Sequence, residues 1–132
     1  MVWQHMFRGC CKSKTHVFDK YGRNGSWALV TGGSDGIGLE MCHQLAAQGF
    51  NILMVARNEE KMKGKIDEIR SIYPTVECRN IICDFGKLTK FSEYREVYGS
   101  LIEDLDIAVG IANAGYVEGN KFVDIDNDDF EN

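Results

Sequence analysis

No run of 18 apolar residues occurs in this 132-residue chain, so no membrane-spanning helix is predicted. The first residues also lack the apolar core of a signal peptide. Basic residues number 15 against 20 acidic ones, a net charge of −5. That balance argues against a nucleic-acid binder, which would carry a basic surface. The three histidines, His5, His16 and His43, have no metal or nucleophile partner at a useful spacing. The five cysteines are odd in number, fit no disulfide framework and offer no full set of four ligands at zinc-finger spacing. Cys42, Cys78 and Cys83 fall within regular apolar patterns, where cysteine acts as a small buried hydrophobe in a reducing compartment. There is no internal repeat and no low-complexity tract. Asp124-x-Asp126-x-Asp128 opens like a calcium loop, but Asp129 stands where that loop needs glycine; the segment reads as a solvated helix start.

What charge there is lies unevenly. Residues 1–25 hold Arg8, Lys12, Lys14, Lys20 and Arg23 against Asp19 alone, a net of +4 that leaves −9 for the rest. They are expected to form a basic, disordered leader, with contact to an anionic membrane surface as the alternative. The adjacent Cys10 and Cys11 beside these basic residues suit palmitoylation. Residues 26–132 are expected to form the folded unit, a length that fits at most one domain.

Within that unit strand and helix patterns alternate. Residues 27–31, 51–56, 76–83 and 106–112 read as strands, and the second, with Ile52-Leu-Met-Val55, is apolar without alternation, as in a strand covered on both faces. Residues 36–48 read as a helix with Ile37, Met41 and Leu45 on its buried face and Gly49 as its stop. Residues 58–72 read as a helix capped by Asn58, burying Met62, Ile66, Ile69 and Tyr73, and ended by Pro74, the only proline. Residues 89–103 read as a helix burying Phe91, Tyr94, Tyr98 and either Leu101 or Ile102. A further helix is expected to begin at 126–131. This alternation predicts an α/β fold, a Rossmann-like parallel sheet with right-handed crossovers, helices on both faces and strand order 3-2-1-4.

The chemistry gathers at the ends of these strands. Thr31-Gly-Gly-Ser-Asp-Gly-Ile-Gly38 lies between a buried strand and an amphipathic helix. Gly32, Gly36 and Gly38 give a tight turn that phosphate oxygens approach closely, and the helix amides and positive dipole end face them. This predicts a dinucleotide pyrophosphate site that also takes in Ser34, Asp35 and Ile37. At the end of the second strand an acidic residue would hold the ribose 2′-hydroxyl of NAD; Arg57 stands there instead. A guanidinium fork matches a 2′-phosphate, so the cofactor is expected to be NADP(H). Asp84 ends the third strand at the same edge, either as a ligand contact or as a turn residue. Asn113-Ala114-Gly115 ends the fourth, where small residues let a flat ligand lie close and Asn113 both donates and accepts.

In this order and spacing, Thr31 to Gly38, Asp84 and Asn113-Ala-Gly115 resemble the short-chain dehydrogenase/reductase family over roughly residues 21–132. Tyr21-Gly, Ser26-Trp-Ala-Leu-Val-Thr-Gly, Asp35-Gly-Ile-Gly, Val55-Ala-Arg-Asn58 and Cys83-Asp-Phe85 resemble its branch of very-long-chain 3-oxoacyl-CoA reductases and related 17-beta-hydroxysteroid dehydrogenases. The resemblance implies NADPH on Gly32, Gly36, Ile37 and Gly38, Arg57 at its 2′-phosphate, Asp84 near the adenine and Asn113 near the ribose. It implies hydride transfer to the carbonyl of a lipid-type substrate, and residence at the cytosolic face of the endoplasmic reticulum. The chain departs from the family pattern in reading Ala112-Asn-Ala-Gly for Asn-Asn-Ala-Gly. None of Tyr21, Tyr73, Tyr94, Tyr98 and Tyr116 is followed four residues on by lysine. The catalytic serine, tyrosine and lysine of the family are therefore expected to lie in a half not represented, and this chain alone is expected to be inactive. The rival readings are a non-catalytic dinucleotide-binding or partner-binding module and a non-functional truncated product. Without a fifth strand the fourth is expected to present an open apolar edge suited to self-association.

Overall fold

Four short runs pair in parallel, in the spatial order third, second, first, fourth along the chain, and every other element is placed by them. The computed structural model describes residues 16–115. Its strands are β1 (Trp27–Thr31), β2 (Asn51–Ala56), β3 (Cys78–Ile82) and β4 (Ile107–Ile111). Its helices are α1 (Val17–Tyr21), α2 (Gly36–Ala47), α3 (Glu59–Ile72) and α4 (Phe91–Ile102). The expected fold and strand order hold. Cys10, Cys11, Tyr116, the Asp124–Asp128 motif and the helix expected at 126–131 lie outside the described residues.

Alternate residues of the central strands feed two cores. Ala28, Val30, Ile52, Met54 and Ala56 join Cys42, Leu45 and Ala46 of α2 and Met62, Ile66 and Ile69 of α3. Trp27, Leu53, Val55 and Ile81 face the other way, against Val97, Tyr98 and Ile102 of α4. From Ile52 to Val55 no residue of β2 is more than 1% exposed, which is why its sequence is apolar without alternation. Each such aliphatic side chain contributes about 1.5–3 kcal/mol on burial.

Local signals start and stop the helices. The Asn58 side chain accepts the Lys61 amide proton at 2.9 Å, as an N-cap does. Gly49, at φ 102°, takes the left-handed conformation that turns the chain from α2 into β2. Helix α3 ends at Ile72, two residues before Pro74.

Three expectations are corrected. Helix α2 buries Gly38, Cys42, Leu45 and Ala46, while Ile37 is 71% exposed. Small residues on that stripe let the helix approach the sheet closely, and Ile37 overhangs its end. In α4, Phe91 is 81% exposed. It lies seven residues before Tyr98, on the same stripe, but in a first turn that no described residue covers. Leu101 is exposed and Ile102 packs inward, which resolves that pair. The third concerns residues 16–25, expected to be loose. Val17 and Phe18 of α1 pack on the larger core. The Phe18 and Phe50 rings meet edge to face at 4.9 Å, and the Gln48 side chain accepts from the Val17 amide at 2.7 Å.

Side chains also stitch β4 to β1 at the start of both strands. The buried Ser26 hydroxyl donates to Asp106 at 2.7 Å and accepts from the Arg23 amide at 2.8 Å. Among the described residues the far side of β4 has no strand beside it.

Candidate functional site

The carboxyl ends of all four strands open into one groove of about 980 Å³. Gly32, Ser34 and Asp35 line it from the turn after β1; Ala56, Arg57, Asn58 and Lys61 from the end of β2 and the start of α3. Cys83, Asp84, Phe85, Gly86 and Lys87 line it after β3, and Asn113, Ala114 and Gly115 after β4. Residues from four separate stretches of sequence thus meet in one place, as expected where ligands bind parallel sheets.

The glycines of the turn are needed for two reasons. Gly36 has φ +49°, and a Cβ added there meets no atom within 4 Å, so the turn leaves an open cradle at the head of α2. At Gly38 an added Cβ would stand 2.3 Å from the Gly32 carbonyl oxygen, so only glycine lets the helix pack against the turn. The turn rests on the core below it: the Cβ position of Gly33 lies 2.9 Å from Met54 and 3.0 Å from the Cys42 sulfur. Gly36, Ile37 and Gly38 form the first turn of α2 at the edge of the groove and are not among its lining residues. Helix geometry leaves the Ile37 and Gly38 amides without an acceptor inside the helix.

Asp35 caps α2, accepting the Gly36 amide proton at 2.9 Å. Its other carboxylate oxygen pairs with the Lys61 ammonium at 2.5 Å. That ammonium, then the Gly36 amide, hold the Asp35 carboxyl below its usual range. Arg57 follows β2, is exposed, and makes no ion pair with any described residue. Glu59 is turned to the helix surface, paired with Lys63 at 2.7 Å.

Asp84 is a turn residue whose side chain also faces the groove. Its side chain accepts from the Gly86 amide at 3.3 Å, which shapes the turn, and it lines the groove with Lys87 3.8 Å away. Asn113 is tied to β1. Its side-chain amide donates to the Thr31 carbonyl at 3.1 Å, while the Asn113 and Ala114 backbone amides donate to the Thr31 hydroxyl at 2.9 and 3.0 Å. Thr31 and Asn113 therefore fix the β4 end of the groove against the glycine-rich turn.

Sequence reasoning missed Lys61, Lys87 and the bracing role of Thr31. Lys61 had a readable signal, a cation one helical turn past Arg57. The Thr31 contacts join residues more than 80 positions apart, and nothing local announces them. A smaller depression of about 490 Å³, lined by Arg70, Pro74, Val76, Glu77, Cys78 and Arg79, contains none of the candidate residues. No helix among the described residues is long and apolar enough to cross a membrane, and no group of three or more His, Cys, Asp or Glu among them is arranged to hold a metal ion.

The family model described as short chain dehydrogenase matches residues 26–132. A very-long-chain 3-oxoacyl-CoA reductase of Emericella nidulans is 43% identical over 95 residues, covering 72% of this chain and 27% of the relative. The chain thus spans about a quarter of the length of the curated relatives it matches. Among solved structures, a bulky-bulky ketone specific alcohol dehydrogenase from Comamonas testosteroni superposes with a TM-score of 0.67 at 32% identity, covering 83% of this chain and 42% of that one. A short-chain dehydrogenase from Sphingobium yanoikuyae, solved in complex with NADPH, superposes with a TM-score of 0.65 at 27% identity, covering 80% of this chain and 40% of that one.

Proposed function

We propose that this chain, which belongs to the short-chain dehydrogenase family, is the NADPH-binding portion of a reductase that acts on the carbonyl of a lipid-type substrate, a 3-oxoacyl-CoA or a steroid. The observation that carries the reading is the meeting of the glycine-rich turn, Arg57, Asp84 and Asn113-Ala114-Gly115 around one groove. The open cradle at Gly36 and the free amides of the first turn of α2 suit a pyrophosphate. Arg57, exposed and unpaired among the described residues, suits the 2′-phosphate, with Asp84 toward the adenine and Asn113 toward the ribose. When bound, the cofactor supplies a hydride for the carbonyl. No residue of this chain is assigned as proton donor. The 3-oxoacyl-CoA part of the substrate class rests on the name of the Emericella nidulans relative and its 43% identity; the steroid part rests on the resemblance of the motifs alone. On the same reading the protein works at the cytosolic face of the endoplasmic reticulum, with the basic residues of 1–25 toward the membrane surface and the outer edge of β4 available for association.

Cofactor choice tests the reading. NADPH is expected to bind more tightly than NADH, and Arg57→Asp to reverse the preference. A charge-assisted phosphate contact contributes about 1.5–3 kcal/mol, so the affinity ratio should move by roughly tenfold or more. Fluorescence titration with each cofactor measures it, and equal affinity of the wild-type chain for both would overturn the assignment.

A further inference from the structure

Asp35 presents a physical conflict. As N-cap it stabilises α2, because a carboxylate at a helix start satisfies an amide and complements the dipole. Yet it sets a negative charge, three-quarters exposed, on the rim of a groove that must receive an anion. The first turn of α3 answers that charge. The Lys61 backbone amide is held by the Asn58 cap at 2.9 Å, and its ammonium crosses to Asp35 at 2.5 Å. Arg57 directly precedes Asn58, so Arg57, Lys61 and Asp35 share one corner of the groove. The other acid–base pairs of α3 that involve lysine, Lys63 with Glu59 and Lys65 with Glu68, lie along its own surface. Lys61 instead reaches the glycine-rich turn.

We propose that Lys61 is a specificity residue for the 2′-phosphate: its ammonium cancels the Asp35 carboxylate and so leaves the charge of Arg57 to the phosphate. The inference rests on the NADPH reading above. Without Lys61, Asp35 would stand as an unpaired acid within a Debye length, about 8 Å at physiological salt, of the first turn of α3, and would repel the 2′-phosphate much as an acid at the end of β2 does. NADH shares the pyrophosphate but carries no 2′-phosphate, so the repulsion at the 2′-phosphate is read in the NADPH-to-NADH affinity ratio. The device lets one residue serve as a helix cap without setting the cofactor preference.

The test is a set of dissociation constants for NADPH and NADH, measured by fluorescence titration on the wild type, Lys61→Gln, Asp35→Asn, the double variant and Arg57→Gln. The substituted side chains are on the surface, and circular dichroism melts confirm that each variant folds. Lys61→Gln should lower the NADPH-to-NADH affinity ratio by roughly 3–10-fold, with a smaller change at high salt. The double variant should recover NADPH affinity to within about twofold of wild type, because removing Asp35 removes the need for Lys61. An unchanged NADPH-to-NADH ratio in Lys61→Gln, or a double variant as weak as Lys61→Gln, overturns the proposal. Arg57→Gln separates the two levels. If it shifts the ratio and Lys61→Gln does not, the role of Lys61 alone falls; if neither shifts it, the 2′-phosphate reading falls as well.

Discussion

The two faces of the sheet are closed to different degrees. On one, α2 and α3 lie over Ala28, Val30, Ile52, Met54 and Ala56, and α1 adds Phe18 against Phe50. On the other, among the described residues, α4 is the one helix over Leu53, Val55 and Ile81, with Phe85 and Leu88 beside it, and it leaves Phe91 and Leu101 exposed. The strands grade in the same sense: β2 is sealed, whereas every residue of β4 keeps some exposure. The glycine-rich turn is built on the better-closed face. Gly33 sits on Met54 and Cys42, so the packing that stabilises the fold also supports the glycine-rich turn. The β4 end of the groove is held by side-chain hydrogen bonds to Thr31 more than by burial.

The largest expected effect comes from breaking the closed face. Phe50 is fully buried and touches Phe18, so Phe50→Ala removes a large side chain from both α1 and the main core. A loss of about 3–5 kcal/mol is expected. Val97→Ala, on the half-buried surface of α4, should cost about 1 kcal/mol. Urea denaturation of the two variants measures the asymmetry. Equal losses would mean that the faces are closed alike.

How much of this was legible in the sequence follows the same division. Ile52-Leu-Met-Val55 announced a strand covered on both faces because burial on two sides imposes a continuous apolar run. Asn58 announced its cap, and the glycine-rich turn its position, because these signals are local. The strand ends that carry Arg57, Asp84 and Asn113 followed from the topology, since a parallel sheet brings its carboxyl ends together. Periodicity failed at the first turns of helices. Ile37 and Phe91 continue apolar stripes past the edge of what the sheet covers, and a pattern of spacings does not show where cover ends. The Asp35–Lys61 pair and the Thr31–Asn113 contacts join positions far apart in sequence, and their geometry exists only in the folded chain.

Cys42 sharpens the link between the closed face and the site. Its side chain is fully buried under the turn, and burial pushes the thiol up to about 12. The folded thiol therefore stays neutral where the unfolded one ionises. The stability this gives is complete below an ordinary thiol value near 9.0 and is lost as pH rises toward about 12. Cys42→Ala should destabilise by about 1–2 kcal/mol at neutral pH, through lost contacts beneath Gly33. Above pH ~9 the wild type should lose up to about 1.4 kcal/mol per pH unit through this group, while the variant loses nothing at that position. The gap between their melting curves should narrow between pH 8 and 10.5. A gap independent of pH would show that Cys42 does not titrate in the unfolded chain as argued.

The smallest effect tests the open face. Phe91 is 81% exposed in the first turn of α4, so its ring contributes little to the described fold. Lysine is a good helix former, and Phe91→Lys should change stability by no more than about 0.5 kcal/mol, far less than Phe50→Ala. Its effect belongs to the surface. Phe91 and Leu101 leave apolar area uncovered on the face that α4 only partly closes, and exposed apolar area drives association. Phe91→Lys should therefore lower concentration-dependent association in sedimentation velocity. Ile37→Lys makes the matching change at an exposed site on the rim of the closed face, and should leave association nearly as it was. If both substitutions lowered association equally, the asymmetry would lie in total exposed apolar area and not in which face is open. If Phe91→Lys were strongly destabilising, α4 would be packed through its first turn and the two faces would be closed more nearly alike.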